Sequence, residues 1–513
     1  MTSLEAALDR DFGVIADLIH QHALAEPSRP ALADDHHTLD YATLDARMDR
    51  VAAALQRDGL VPGDAIALCA NASVDYAAVF LGALRAGMAV APLAPGSTAA
   101  SLARMIADAH ARLLFLDPAG LQALGGEAGP QLPRVAFEGE LPGATPLARW
   151  LAPEGARPAP VDAQPGWPFN IIYSSGTTGE PKGIVQGHGM RWAHVQRGAA
   201  YGYGPETVTL LSTPLYSNTT LVVFFPSLAY GGCVRLMPKF DAGRYLELAQ
   251  RHRVTHTMLV PVQYQRLMAH PDFDRFDLSA FQAKFCTSAP FGAALKADVL
   301  KRWPGGLVEF YGMTEGGGTC ILEAHRHPDK LHTVGQPAPG SDIRLIDEAG
   351  REVAPGEAGE VVGHSGGMMT GYHGQPEKTR EAEWFAPDGK RFIRTGDIGR
   401  FDAEGFLTLF DRRKDMIISG GFNIYPSDLE AVLRRHPDVA DASVIGVPSE
   451  QWGETPVGFV VLRPDAAADE DEVLQWANAQ VGKTQRLAGL RRIGELPRSA
   501  IGKVLKRELR EAW

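Results

Sequence analysis

The sequence predicts an α/β protein: a large N-terminal domain of two α/β layers plus a β-rich subdomain, followed by a small C-terminal α+β domain. Three observations carry this reading. Helical apolar spacing alternates with short buried-strand runs through the first 330 or so residues. Between Val334 and Leu409 that alternation gives way to short strands punctuated by Gly, Pro and Asp-Gly turns. A basic triplet, Arg412, Arg413 and Lys414, then precedes a final stretch of renewed alternation. The expected boundaries are 1–411 for the large domain, with its β-rich part from about 334, and 412–513 for the small one.

The elements justify themselves in order. YATLDARMDRVAAALQRDG from Tyr41 is helical, AIALCA a buried strand, VDYAAVFLGALRAG helical, AVAPL a strand, SLARMIADAH a helix and ARLLFLD a strand. Strands separated by helices imply a parallel sheet with covered faces. A second run follows: VTLLSTPL, an apolar helix after Asn218, CVRLM, DAGRYLELAQRH and VTHTMLV. SDIRLIDEAGREV, GEVVGHS and GFLTLFD form the β-rich part, and NIYPSDLEAVLRRHP, ASVIGV, VGFVVL and DEVLQWANAQV the last alternation.

A chain of 513 residues corresponds to about three units at roughly 150 residues each. Its 45% hydrophobic and 22% charged residues exclude a disordered or fibrous chain. Fifty Lys+Arg against 61 Asp+Glu give a net charge of -11, so nothing in the overall charge attracts nucleic acid. Cys69, Cys233, Cys286 and Cys320 are widely spaced and read as reduced, buried thiols. Glu5, Asp9 and Asp11 stand where a secretory leader would need a basic region and an apolar run, and Pro226 interrupts the most apolar segment, Leu221–Tyr230. The expectation is a cytoplasmic protein without integral membrane association. A homodimer is left open.

The most informative segment is IIYSSGTTGEPKGIV. Gly176 and Gly179 let the backbone approach an anion, Ser174, Ser175, Thr177 and Thr178 offer hydroxyl donors, and Lys182 adds a point charge. It lacks the Gly-Lys-Ser/Thr of a Walker A loop. The same composition suits an ordinary flexible loop, and these residues alone leave both readings open.

Five segments taken together carry a resemblance. Ser174 to Lys182, Tyr311-Gly312-Met313-Thr314-Glu315, Arg394-Thr395-Gly396-Asp397, Asp411 to Glu430 and Pro497 to Leu505 resemble, in order, the phosphate loop, YGxTE, TGD, hinge and terminal-lysine motifs of the adenylate-forming superfamily. That superfamily comprises acyl-CoA synthetases, peptide-synthetase adenylation domains and beetle luciferases. The resemblance spans almost the whole chain and implies ATP, Mg2+ and coenzyme A as cofactors.

It also implies roles. The 174–182 loop would hold the β- and γ-phosphates, Glu315 would ligate Mg2+, Thr314 would donate to the α-phosphate, and Lys503 would bridge the carboxylate and the α-phosphate. Asp397 would accept the ribose hydroxyls, with Arg412 a second ribose contact; Tyr311 would cover one face of adenine, and Ser288-Ala289-Pro290 would present backbone to the other. Lys414 stands at the hinge about which the small domain would rotate between two half-reactions. Gly420 and Gly421 match the pantetheine tunnel, and Trp452 a position that contacts the nucleotide end of CoA, although interface packing explains Trp452 equally well.

One departure concerns the acid. The fourth motif reads Thr213-Pro214-Leu215-Tyr216-Ser217-Asn218, with Ser217 where many members have histidine. No aspartate stands there to pair an amino acid's ammonium. Tyr216, Ser217, Val222, Phe225, Phe285 and Met313 are the expected acyl pocket, and its apolar character suits a hydrophobic acid. An aromatic, benzoate- or cinnamate-like acid is favoured slightly over a medium or long fatty acid. The reading is therefore an AMP-forming carboxylate:CoA ligase, with an acyl-AMP ligase serving a carrier protein and a non-catalytic adenylate sensor as alternatives.

Overall fold

The computed structural model describes residues 3–125, 132–174, 182–412, 415–419, 422–450, 452–482, 485–499 and 502–513. Two compact units divide the chain. The first comprises residues 1–331, 337–342 and 363–393; the second comprises 332–336, 343–362 and 394–513. Strand Leu407–Arg412 runs through the junction expected at 411, and the second unit gathers much of the β-rich segment together with the C-terminal residues.

The first unit is built on two sheets, as the alternation predicts. In one, the order is Gly371–Tyr372, Lys182–Gly187, Pro168–Ser174, Ala89–Leu93, Ala65–Cys69, Ala111–Leu116, Arg134–Ala136 and Thr145–Pro146. Ala65–Cys69 pairs in parallel with both of its neighbours, and every residue of it is buried, which is why its sequence is an unbroken apolar run. Helix Tyr41–Arg57 starts where the Asp40 carboxylate accepts from the Thr43 amide, and helix Val74–Arg85 where the Ser73 hydroxyl accepts from Tyr76. The second sheet runs Cys320–Glu323, Gly306–Tyr311, Ala283–Cys286, His256–Leu259, Val208–Leu211, Cys233–Leu236, Pro30–Ala33 and Thr38–Asp40. Helices His188–Arg197 and Asn218–Ala229 pack in the core shared by these sheets, which includes Phe80, Phe169, Phe225 and Phe285.

In the second unit, Gly453–Leu462 pairs with Val439–Ser449 on one side and lies parallel to Gly489–Arg492. Helices Pro426–Leu433 and Glu470–Ala479 close one core through Leu429, Leu433, Val460 and Val473, and Leu509 of helix Lys506–Ala512 joins Ile445 and Phe459 in another. The molecule is thus α/β with a large N-terminal and a smaller C-terminal part. All four cysteines are buried and free. Among the described residues, no helix is long and apolar enough to cross a membrane.

Candidate active site

The loop read as phosphate-binding closes an antiparallel hairpin. Pro168–Ser174 pairs with Lys182–Gly187, and Ser174 stands opposite Lys182. Ser175, Gly176, Thr177, Thr178 and Gly179 lie outside the described residues, as does the Ser174 side chain. Lys182 places its Nζ 5.1 Å over the ring of Tyr372. The same Tyr372 donates its hydroxyl to Glu315 Oε1 at 2.8 Å. One phenol therefore touches both the loop lysine and the expected magnesium ligand. Burial, and then the charge of Glu315, push the Tyr372 hydroxyl far above the usual phenol range, so it stays a donor.

Tyr372 was invisible in the sequence, 57 residues from Glu315. It arrives through the two-residue strand Gly371–Tyr372, which pairs with the far side of the hairpin and sets Tyr372 against Ile184. Next to it, the Met369 amide donates to the Glu315 carbonyl at 2.7 Å.

The YGMTE segment leaves the end of strand Gly306–Tyr311. Tyr311, Met313, Thr314 and Glu315 are half-buried and Gly312 is exposed. The turn is held from below. Gln186 Nε2 donates to the Thr314 carbonyl at 2.7 Å, while the Asn170 amide donates to Gln186 Oε1 at 3.0 Å. Gly316, at φ +74°, is needed here: a Cβ would lie 1.8 Å from the Gly367 carbonyl oxygen. Ser288 adopts a left-handed φ of +83° and shares a 2.5 Å hydroxyl bond with Thr219. Ser288 and Ala289 are half-buried and Pro290 is exposed. A non-glycine residue in this conformation is held against local preference, a feature concentrated at functional sites.

The expected acyl pocket needs correction. Phe225 and Phe285 are 1% and 0% exposed, so they line no open pocket. Phe225 packs edge-on to Phe80 and Phe169, and Phe285 stacks on Phe310 at 5.5 Å, because both sit where helix and sheet close the core. Tyr216, Val222 and Met313 keep accessible surface. Ser217 has a local task that explains the missing histidine: its hydroxyl accepts from the Thr219 amide at 3.3 Å and caps helix Asn218–Ala229.

In the second unit, Gly396 at φ +71° turns the chain ahead of Asp397, whose amide donates to Thr395 Oγ1 at 3.1 Å. Thr395 in turn donates to the Val361 carbonyl, and Arg394 forks onto Glu360 at 3.3 and 2.7 Å. Asp397 and Arg412 are direct partners across the antiparallel ladder. The Arg412 side chain lies outside the described residues, as do Lys414, Gly420 and Gly421. Trp452 is 50% exposed, which speaks for a ligand-facing rather than a packed ring.

Lys503 sits on a tight turn ahead of helix Lys506–Ala512. The Ser499 amide donates to the Lys503 carbonyl at 2.8 Å, the Lys503 amide to Ser499 Oγ at 3.2 Å, and Gly502 has φ +76°. Arg498 braces the turn, donating to the Gly502 carbonyl at 2.6 Å and to Asp441 at 2.5 Å. Neighbouring cations have structural partners instead. Lys506 pairs with Glu430 at 3.1 Å and Arg510 with Asp415 at 2.9 Å.

Residues 19–373 match the AMP-binding enzyme family, and residues 428–503 match its C-terminal domain. The chain belongs to the AMP-binding enzyme family. It is 32% identical over 504 residues to a feruloyl-CoA synthase of an Amycolatopsis species, covering 96% of this chain and 98% of the relative. A fatty acid–[acyl-carrier-protein] ligase, ScoC of Streptomyces coeruleorubidus, is 31% identical over 505 residues, with 96% and 95% covered. ATP-bound MatB from Rhodopseudomonas palustris superposes with a TM-score of 0.86 at 30% identity, covering 97% and 98%. The chain is accordingly an enzyme of the AMP-forming acid–thiol ligase class, whose cofactors are ATP, Mg2+ and coenzyme A.

Proposed function

We propose that this AMP-binding enzyme is a carboxylate:CoA ligase acting on a hydrophobic, preferably aromatic, acid. The observation that carries the nucleotide half is the single phenol of Tyr372 linking Lys182 to Glu315. It draws a cation for phosphate oxygens and a hard carboxylate ligand to one locus. Glu315 commits one oxygen to Tyr372 and keeps the other for a metal. A single carboxylate completed by substrate phosphates suits Mg2+, which retains several waters and rarely takes an all-protein cage. When bound, Mg2+ neutralises phosphate charge as pyrophosphate departs.

The residues of this chain divide the remaining work. Lys182 holds phosphate oxygens, Thr314 orients the α-phosphate, and Asp397 with Arg412 receives the ribose. Lys503 neutralises the charge that develops as the carboxylate attacks the α-phosphorus. Tyr311 and the strained Ser288-Ala289-Pro290 segment serve the adenine. After adenylation, a domain boundary near 411 with Lys414 as hinge exchanges Lys503 for the thiol-admitting surface of Gly420, Gly421 and Trp452.

The feruloyl-CoA synthase and indoleacetate–CoA ligase relatives support an aromatic acid. The ScoC relative supports a second reading, in which a carrier protein replaces CoA. The test is pyrophosphate release across aromatic and C4 to C16 acids, with CoA and with a phosphopantetheinylated carrier protein as alternative acceptors. Acid-dependent release with acyl-CoA as product supports the proposal. Acylation of the carrier alone replaces it with the second reading, and no release with any acid refutes both.

A further inference from the structure

Helix His188–Arg197 carries Arg191, His194 and Arg197 at a spacing of three residues, which aligns them along one face. None has a carboxylate partner among the described residues. Arg191 is fully buried. Its guanidinium lies 5.8 Å from the ring centres of both Phe169 and Phe225, donates to Asn170 Oδ1 at 3.1 and 3.0 Å and reaches Gln186 Oε1, all neutral groups. His194 Nδ1 is 3.5 Å from Arg191 Nη1, and its Nε2 points toward Gly367, 3.8 Å from where a Cβ would stand. Burial and the flanking arginines hold His194 well below the usual imidazole range, so it adds a neutral donor and acceptor.

Arg197, at the far end, makes no hydrogen bond and no ion pair among the described residues. It is desolvated, yet it and His194 keep accessible surface, so this face borders a recess rather than closed core. The nearest aromatic neighbour in sequence is Tyr201, one turn on, whose ring stands against Phe285 at 5.1 Å and Phe310 at 5.7 Å. The acid that acts on Tyr201 is Glu323, and Glu323 is already paired with Arg326 at 2.9 Å. A desolvated guanidinium without an anion is costly, and a ligand carboxylate that forks onto it removes the cost.

Distance assigns the role of that anion. Arg191 connects through Gln186 to the Thr314 carbonyl, the end of the stripe where the reacting carboxyl is expected. Six residues of helix carry Arg197 about 9 Å further along the axis, the length of one aromatic ring or a short alkyl spacer. We propose that Arg197 is a specificity residue for a second anionic group, a carboxylate, at the distal end of the acid. This rests on the ligase reading above and narrows its substrate class.

The test uses the full-length enzyme and matched acids: cinnamate against 4-carboxycinnamate, and hexanoate against adipate, scored by acid-dependent pyrophosphate release. The expected result is a kcat/KM for at least one dicarboxylate on the order of tenfold or more above its neutral partner. Arg197→Met should collapse that ratio through KM, and Arg197→Lys should restore part of it. The ratio is independent of how much of a variant folds, and if Arg197→Met fails to fold, the wild-type ratio and Arg197→Lys decide. Release with neutral acids but no dicarboxylate preference overturns this inference and leaves the ligase reading standing. An Arg197→Met variant that loses both acids equally also overturns it. No release with any acid refutes the ligase reading and this inference with it.

Discussion

Tyr372 and Lys503 illustrate two ways in which one residue can be critical. Tyr372 touches no reacting atom but orients a carboxylate oxygen and offers a π face to Lys182. Tyr372→Phe keeps the face and loses the donor. The expected outcome is a several-fold higher Mg2+ concentration for half-maximal pyrophosphate release, with KM for the acid nearly unchanged; Tyr372→Leu should add a rise in KM for ATP. A titration with unaltered Mg2+ dependence in Tyr372→Phe would remove Tyr372 from the site. Lys503, by contrast, stands alone on a braced turn whose neighbours, Lys506 and Arg510, are occupied elsewhere. Lys503→Ala should lower acyl-adenylate formation by at least two orders of magnitude, about 3 kcal/mol of transition-state stabilisation. Supplied with preformed acyl-adenylate, the same variant should still make the thioester. Retained adenylation would return Lys503 to the solvated charges of the tail.

Whole elements show why local sequence reads well in some stretches and poorly in others. The buried strands Ala65–Cys69 and Ala89–Leu93 were legible because both faces are covered, which demands unbroken apolar runs. Phe225 and Phe285 misled for the same reason: a run of large apolar residues says buried, and burial in a core looks the same as burial against a ligand. Ser217 seemed a missing catalytic neighbour, and in the fold it starts a helix. Ser217→Ala should therefore destabilise the protein by about 1 kcal/mol, seen as a lower Tm, without shifting KM for ATP. A large loss of adenylation at unchanged Tm would make Ser217 a substrate contact instead.

At the scale of the molecule, buried histidines tie stability to pH. Burial pulls His188 down to about 4, and His22, His194 and His256 are also lowered with burial as the leading cause. Each takes up a proton more readily in the unfolded chain, where imidazole titrates near 6.5. Stability is accordingly highest above pH 6.5 and falls as pH drops from there through 4. His188, 4% exposed with its Nε2 unpaired, contributes on the order of 3 kcal/mol to that fall. Tm measured from pH 7.5 to 4.5 should decline, and His188→Phe, which keeps the edge contact with Phe169, should flatten the decline. A variant with the wild-type slope would exclude His188 as a contributor.

The sequence by itself determined the α/β class and the family, because adenylation needs its phosphate loop, YGMTE turn, TGD turn and terminal lysine in short segments whose glycines and polar groups leave a local signature. It could do so without knowing how those segments meet. Only the tertiary structure decided which side chains stand beside them. Tyr372 reaches Glu315 from a separate strand, Gln186 supports Thr314 across 128 residues, and the face of one helix leaves Arg197 desolvated and uncompensated. Such pairings depend on distances in space and on the dielectric of the surroundings, and neither is written in the order of residues along the chain.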